Sequence, residues 1–213
     1  VMLLVGMVYV PMEADAANEF YGDYTDVAKI YDYGSCPSMQ GLAVGSQMLY
    51  TIKINSDDSK AFISMTDKDT GKTTKLYNSD AGSYYFTNLG HANDMDFAVV
   101  DGKEYLFVLA SGNDIATGNI IVFEIRDDTL YQRARYTLSY NGGNFNPSGM
   151  AVYKIDSQTV TFAFKWSFTT ISTGSISFQA TSGNIPVTIK CYLDSTAVEV
   201  NGKKRDFTGF ANQ

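Results

Sequence analysis

The only histidine of the chain, His91, belongs to a short segment whose side chains are suited to chemistry, Gly90-His-Ala-Asn-Asp-Met95. An imidazole, the Asn93 amide and the Asp94 carboxylate there can hold a divalent cation such as Ca²⁺, or can bind a sugar or an acyl carbonyl. Such residues at the start of a strand also cap backbone groups with side-chain hydrogen bonds, and both interpretations stay open for His91. The ligand-binding candidates are Gln40, His91, Asn93 and Asp94, and the metal-binding candidates are Asn93 and Asp94.

These candidates lie in a phrase that occurs three times and begins a fourth time. The copies are Ser38-Met-Gln-Gly-Leu-Ala-Val44, Ala92-Asn-Asp-Met-Asp-Phe97, Pro147-Ser-Gly-Met-Ala-Val152 and Gly209-Phe-Ala-Asn-Gln213. Aligned on Gly41, Asp94 and Gly149, the complete copies are 53 and 55 residues apart. Repetition at such a period indicates a repeat architecture. Corresponding positions carry Gln40, Ser148 and 212–213, and for Gln40 and Ser148 the capping interpretation is favoured.

Short strand-like runs separated by turn residues fill each repeat. The clearest run is Thr159–Phe168, where Val160, Phe162, Phe164, Trp166 and Phe168 alternate with smaller or polar residues, as expected for a strand with one buried face. Four short strands per repeat predict an all-β fold and favour a β-propeller of four-stranded blades, with each phrase as the innermost strand. Residues 28–33 would then be the outer strand of a final blade. A β-sandwich and a β-solenoid are the alternatives.

The number of repeats predicts that the chain is a fragment. Three whole repeats are present, whereas closed propellers have roughly 4–8 blades. Residues 1–10 are apolar and precede Ala14-x-Ala16, which is typical of the back half of a secretory signal peptide. A membrane anchor needs about 20 apolar residues, so that alternative is disfavoured. We therefore expect a partial signal peptide at 1–16, a truncated propeller domain at 17–213, and an exported protein.

Composition limits the partners. The chain has 16 Lys and Arg against 23 Asp and Glu, a net charge of −7, and no basic cluster larger than Lys203-Lys-Arg205. Nucleic-acid binding is therefore disfavoured. Cys36 and Cys191 could pair after export, but a loop thiol and a buried strand thiol are the favoured interpretation because nothing in their spacing requires a bridge.

Other motifs are weaker candidates for a binding or catalytic site. Asp67-Lys-Asp69-Thr-Gly71 resembles the opening of a calcium loop but lacks the remaining acidic ligands, so a hairpin tip is expected. Asp57-Asp58 is interpreted as loop charge. No nucleophile elbow, phosphate-binding loop or zinc motif is present. Exposed tyrosines such as Tyr84, Tyr85 and Tyr140 could stack on sugar rings, but they are ordinary sheet formers, and core packing is the default interpretation.

Gln40-Gly41, followed one repeat later by Gly90-His-Ala-Asn-Asp-Met95, resembles a group of bacterial secreted or phage-associated five-bladed propellers. The group includes helveticin J-like class III bacteriocins and teichoic-acid biosynthesis protein C-like proteins. The resemblance covers roughly residues 28–213 and rests on two short motifs. It implies an extracellular or cell-surface role in a Gram-positive bacterium and binding of a cell-wall glycopolymer or carbohydrate. It implies no catalytic mechanism.

A second resemblance keeps an enzyme as the alternative. Asn93-Asp94 is similar to the Asn-Asp pair with which calcium-dependent propeller lactonases hold the metal that polarises their substrate. Those enzymes also use a Glu near the first inner strand, where this chain has Gln40. The sequence therefore predicts a glycopolymer-binding protein first. A metal-dependent hydrolase or lyase is second, and a structural or adhesive repeat protein is third.

Overall fold

The computed structural model describes residues 27–112, 115–166, 170–192, 198–200 and 202–205. Within these residues the chain forms seventeen strands and no helix, which confirms the predicted all-β class. The candidate signal peptide at 1–16 and the start of the fourth phrase at 209–213 lie outside the described residues.

The described part of the chain contains no helix with the length and apolar character needed to cross a membrane.

The first repeat forms a four-stranded antiparallel sheet in sequential order. Its strands are β1 (Ser38–Val44), β2 (Met48–Ile54), β3 (Ala61–Asp67) and β4 (Thr73–Lys75). The β3–β4 turn is the hairpin tip predicted at 67–71, because Asp67 Oδ1 accepts hydrogen bonds from the backbone N–H of Asp69 and Thr70, at 3.1 and 2.8 Å. Gly71 completes the turn with a φ of 67°.

The second repeat forms the central and largest sheet. It contains β5 (Tyr77–Asn78), β6 (Asp94–Val100), β7 (Lys103–Gly112), β8 (Ile115–Arg126), β9 (Thr129–Tyr140) and β10 (Gly143–Asn144), together with a strand from the third repeat. Strands β6 to β10 follow one another in antiparallel order. The predicted Asp101-Gly102 turn joins β6 to β7, and both of its residues have positive φ, as a two-residue hairpin requires.

The third repeat forms another four-stranded antiparallel sheet, and a hairpin follows it. The strands are β11 (Gly149–Asp156), β12 (Thr159–Trp166), β13 (Thr170–Ser177), β14 (Ser182–Pro186), β15 (Thr188–Tyr192), β16 (Val198–Val200) and β17 (Lys203–Arg205). The third sheet has the order β11-β12-β13-β15, and β16 pairs only with β17. The alternation predicted for β12 is confirmed at Val160, Phe162 and Phe164, which are fully buried. Trp166, predicted on the same buried face, is instead 36% exposed at the end of the strand, and Phe168 lies outside the described residues.

Each complete copy of the repeated phrase lies in the first strand, at one edge, of its sheet: β1, β6 or β11. That this strand is the innermost strand of a propeller blade stays a prediction. The central first strand, β6, contacts both β1 and β11. The approach to β1 is close, because a Cβ atom on Gly41 would lie 3.0 Å from the backbone N of Met95. The three sheets are therefore joined along their first strands. Residues 28–33 form no strand, and only Tyr33 bridges, to Cys36.

The central sheet is buried on both faces. Alternate residues of β7 belong to two separate cores. Tyr105, Phe107 and Leu109 pack with the third sheet, and Leu106, Val108 and Ala110 pack with the first. The Phe107 and Phe162 rings meet edge to face at 5.3 Å between centroids. A continuous apolar run in a strand is expected where neither face meets water. The sheets are therefore stacked face to face, with the second repeat in the middle.

Two short strands tie the outer strand of the central sheet to its neighbours. β5, which follows the first sheet in the chain, pairs in parallel with β9 at its beginning. β14, which lies between two strands of the third sheet, pairs in parallel with β9 further along, from Arg135 to Ser139. The sheets are thus linked at their outer strands as well as along their first strands.

Candidate functional site

The four residues predicted to bind a ligand line one open cavity of about 1030 Å³. It lies where the first strands begin, since Gln40 is in β1, Asp94 opens β6 and Gly149 opens β11. Its polar lining is Gln40, His91, Asn93, Asp94, Ser148 and Lys165, and its apolar lining includes Met39, Met150, Phe164 and Ile171. The repeat thus places equivalent positions of three sheets around one space.

Asp94 uses both carboxylate oxygens to hold backbone groups. Oδ1 accepts a hydrogen bond from the N–H of Met95 at 2.9 Å, and Oδ2 accepts one from the N–H of Met150 at 2.8 Å. Met150 belongs to the next sheet, so one side chain connects two first strands. Asp94 thus caps backbone N–H groups with side-chain hydrogen bonds, which is one of the two interpretations given above for polar residues at the start of a strand.

Asp96 repeats the same arrangement two residues further along β6. Its Oδ1 accepts from the N–H of Phe97 at 2.7 Å, and its Oδ2 accepts from the N–H of Val152 at 2.6 Å. Strand period two places Asp94 and Asp96 on one face of β6, opposite alternate N–H groups of β11. The carboxylates satisfy donors that a neighbouring strand would otherwise have to pair.

The environment of Asp94 favours its neutral form. Burial raises the pKa of the Asp94 carboxyl above its ordinary value, the N–H donors of Met150 and Met95 oppose this shift, and the charge of Asp96 adds to it. A carboxyl group in this setting takes up a proton at a higher pH than an exposed aspartate does.

His91 is held by contacts on two sides. Its ring Nδ1 lies 3.0 Å from Oδ2 of Asp58, in the β2–β3 turn, and its backbone N–H donates to the carbonyl of Ser111. The His91 side chain is 44% exposed. If Nδ1 donates to the carboxylate, the neutral ring keeps Nε2 as an acceptor, and the protonated ring makes Nε2 a donor. Asp58 thus fixes the orientation of a group that can interact with a polar ligand in either state.

Some of the remaining polar residues of the cavity are held by hydrogen bonds within the protein, whereas Gln40 can bind a ligand. Asn93 Nδ2 donates to the carbonyl of Pro147 at 3.2 Å, and the Ser148 backbone N–H donates to the carbonyl of Lys165 at 2.9 Å. Within the described residues the half-buried side chain of Gln40 forms no hydrogen bond. Its amide therefore offers a donor and an acceptor to a ligand.

The donor set does not fit the calcium site considered for Asn93 and Asp94. Both oxygens of Asp94 already accept backbone N–H groups, and the Asn93 amide, whose Nδ2 donates to the carbonyl of Pro147, has only its Oδ1 to offer a metal. Ca²⁺ takes about 6–8 oxygen ligands. The part of the chain that the structure describes contains no cluster of three or more His, Cys, Asp or Glu side chains able to hold a metal ion. We derive no metal-dependent step from this cavity.

Sequence reasoning did not identify three residues that contribute to the site, Lys165, Asp96 and Asp58. Lys165 lies on the polar face of β12, so its position in the cavity follows from the alternation already recognised in that strand. Asp96 is inside the repeated phrase, two residues from Asp94, and the same strand period indicates it. Asp58 had no comparable signal because it lies 33 residues from its partner His91. It was interpreted only as a loop charge.

Comparisons with known proteins give no family. No family model and no curated protein matches the sequence. Among solved structures, hydrazine synthase of Kuenenia stuttgartiensis is similar over 76% of this chain, with 11% sequence identity and a TM-score of 0.37. This chain spans about half the length of that one, 52%. The likeness does not bear on the resemblance to helveticin J-like or teichoic-acid biosynthesis protein C-like propellers, which stays a prediction.

Proposed function

We propose that the three stacked sheets are consecutive blades of a β-propeller and that the cavity at their first strands lies at the mouth of its axis. The support is the sequential antiparallel order within each sheet, the contacts of β6 with both β1 and β11, and the spacing of 53 and 55 residues between phrases. The five-bladed ring belongs to the same proposal.

We infer that this cavity binds a carbohydrate, specifically a cell-wall glycopolymer, in an exported bacterial protein. The observation that carries the proposal is the lining. The Gln40 amide, the His91 ring, the Asp94 carboxyl and the Lys165 side chain surround a cavity of about 1030 Å³ that also has apolar walls. Mixed donors and acceptors suit hydroxyl groups, and apolar side chains suit the C–H faces of a sugar ring. The net charge of −7 argues against a nucleic-acid ligand.

The test is binding to isolated Gram-positive cell walls and to purified neutral wall glycans, with two cavity variants and two controls. Gln40→Ala and Lys165→Ala remove groups that line the cavity. Gln158→Ala and Lys154→Ala remove the same groups from exposed positions at the other end of β11 and β12. The cavity variants should lose about 5- to 150-fold in affinity, since a polar contact is worth about 1–3 kcal/mol.

The proposal fails if wild type binds no wall glycan, or if the cavity variants bind as well as their controls. His91→Ala separates binding from capping. A change in affinity at unchanged melting temperature supports a ligand contact, and a lower melting temperature with unchanged affinity assigns the ring to holding Asp58. Export is tested by mass spectrometry of the secreted protein, which should begin near Ala17.

A further inference from the structure

A second group of side chains with binding chemistry lies at the opposite edge of the first sheet from the cavity. It is centred on Lys75, in the outer strand β4. We name it the lysine–tyrosine surface, and its members are Tyr33, Lys60, Lys75, Tyr77, Tyr84 and Tyr85. The order β1-β2-β3-β4 places Lys75, in β4, at the opposite edge of the sheet from β1, whereas Lys60 precedes β3 in the same turn as Asp58.

The lysines of this surface lie over tyrosine rings. Lys75 Nζ is 4.5 Å from the centroid of the Tyr33 ring and 5.2 Å from that of Tyr84, so one ammonium contacts two rings. Lys60 Nζ lies 4.8 Å from the centroid of the Tyr85 ring. Such contacts hold a cation in place, and both lysines are half-buried, so part of each side chain remains exposed.

The ammonium groups of Lys60 and Lys75 form no ion pair within the described residues. This contrasts with Lys103 and Lys154, which lie 3.5 and 3.0 Å from a carboxylate oxygen. The chain has a net charge of −7, so carboxylates are in excess. Two lysines that have no ion pair among the described residues are complementary to an anionic ligand.

The nearby carboxylates are occupied elsewhere. Asp32, next to Tyr33, pairs with Lys53. Asp80 accepts the backbone N–H of Gln132 at 3.0 Å. Asp57 and Asp58, which precede Lys60 in the chain, contact Ser59 and His91. Among the described residues none of these four carboxylates forms an ion pair with Lys60 or Lys75.

The aromatic part of the surface is held in place by its own loop. The backbone N–H groups of Asn78 and Ser83 donate to each other's carbonyls at 2.7 and 3.3 Å, and Asn78 Nδ2 donates to the carbonyl of Tyr85 at 3.2 Å. The Tyr84 ring packs edge to face on Tyr77, with centroids 5.2 Å apart, and remains 43% exposed. An exposed ring fixed beforehand costs little entropy on binding.

From this geometry we propose that the lysine–tyrosine surface is a second binding site, and that its ligand is an acidic polysaccharide. The exposed Tyr84 ring takes the apolar face of a sugar ring, and Lys75 and Lys60 take the carboxylate or phosphate groups that the polymer carries. The proposal does not depend on the function proposed for the cavity. A polymer long enough to reach both sites would bind more tightly than either site alone allows.

The experiment uses the whole chain and calorimetric titration with polygalacturonate as the anionic polymer, a sugar-phosphate polymer as the second anion and dextran as the neutral polymer. Wild type should bind an anionic polymer, bind dextran at least tenfold more weakly, and lose affinity as salt rises. Binding of polygalacturonate alone assigns carboxylate as the anionic group, and binding of the phosphate polymer alone assigns phosphate.

Three variants locate the site. Lys75→Gln and Tyr84→Ala should each weaken anionic binding about tenfold, and Lys75→Arg should restore most of it. Lys72→Gln removes the same charge from an exposed lysine in the neighbouring turn, and should change affinity less than twofold. Lys165→Ala, in the cavity, should leave this binding unchanged, which distinguishes the two proposals. Equal losses in Lys72→Gln and Lys75→Gln, equal binding of dextran, or unaltered binding by Lys75→Gln and Tyr84→Ala would overturn the inference.

Discussion

Replacing Asp94 with alanine should destabilise the protein, because its carboxylate connects two sheets. The side chain accepts the N–H groups of Met95 and Met150, and both residues are buried, at 2% and 6% exposure. Each buried donor left without a partner costs about 1–3 kcal/mol, and the removed carboxyl no longer has to be desolvated. We expect a net loss of about 2–4 kcal/mol in the free energy of unfolding. For a chain of this length that lowers the melting temperature by about 4–16 °C.

The measurement is urea and thermal unfolding of the wild type and Asp94→Ala, with Asp156→Ala as the matched control. Asp156 lies at the end of β11, its side chain is 67% exposed, and its carboxylate pairs with the exposed Lys154. Its replacement should change the free energy of unfolding by less than about 0.5 kcal/mol. Equal melting temperatures for Asp94→Ala and Asp156→Ala would show that the hydrogen bonds between first strands contribute nothing to stability.

The stability that Asp94 contributes should change with pH in one direction. Burial raises the folded-state pKa of Asp94 above its ordinary value of 3.8, so the unfolded chain ionises first as pH rises. Stability contributed by this group therefore falls as pH rises from 3.8 to the raised folded-state pKa, and it is constant above that. The free-energy difference between wild type and Asp94→Asn should shrink over that window. A difference that grows with pH there would contradict the assignment.

Two further predictions concern close packing and burial. Gly41→Ala should lower the free energy of unfolding by about 1–3 kcal/mol, because the new Cβ would lie 3.0 Å from the Met95 backbone N. The control Gly143→Ala, whose new Cβ would have its nearest atom at 3.6 Å, should cost less. Urea unfolding compares the two variants, and equal costs would refute the close approach of β1 and β6. Cys36 is a free thiol that is fully buried, and burial raises its pKa. In a Cys191→Ser background, iodoacetamide should therefore label Cys36 only after denaturation. Rapid labelling of the folded protein would show that the thiol is accessible.

Much of the fold could be predicted because its signals are local. The repeated phrase marks the first strand of each sheet, and the alternation in β12 marks a buried face at Val160, Phe162 and Phe164. Both patterns depend on a strand's own period of two. The parallel pairing of β5 and β14 with β9 had no such signal, because two- to five-residue strands are too short to show a period.

The candidate site could be located from the sequence, but its internal contacts could not. Repeat alignment brought Gln40, His91 and Asp94 to one end of the sheets, where the structure places them in one cavity. What Asp94 does there depends on where β11 lies relative to β6, which no local pattern specifies. The same holds for the contact between His91 and Asp58, whose partners belong to different turns.

The return of β14 to the central sheet has a consequence for how the protein unfolds. In many repeat proteins each unit contacts only its neighbours along the chain, and units at the end can detach one at a time. Here β14 leaves the third sheet after β13, pairs with β9 from Arg135 to Ser139, and the chain then rejoins the third sheet as β15. The third sheet therefore cannot separate without breaking pairs in the middle one. A single proteolytic cut in the β11–β12 turn at Ser157 would leave both pieces of the chain held by these pairs.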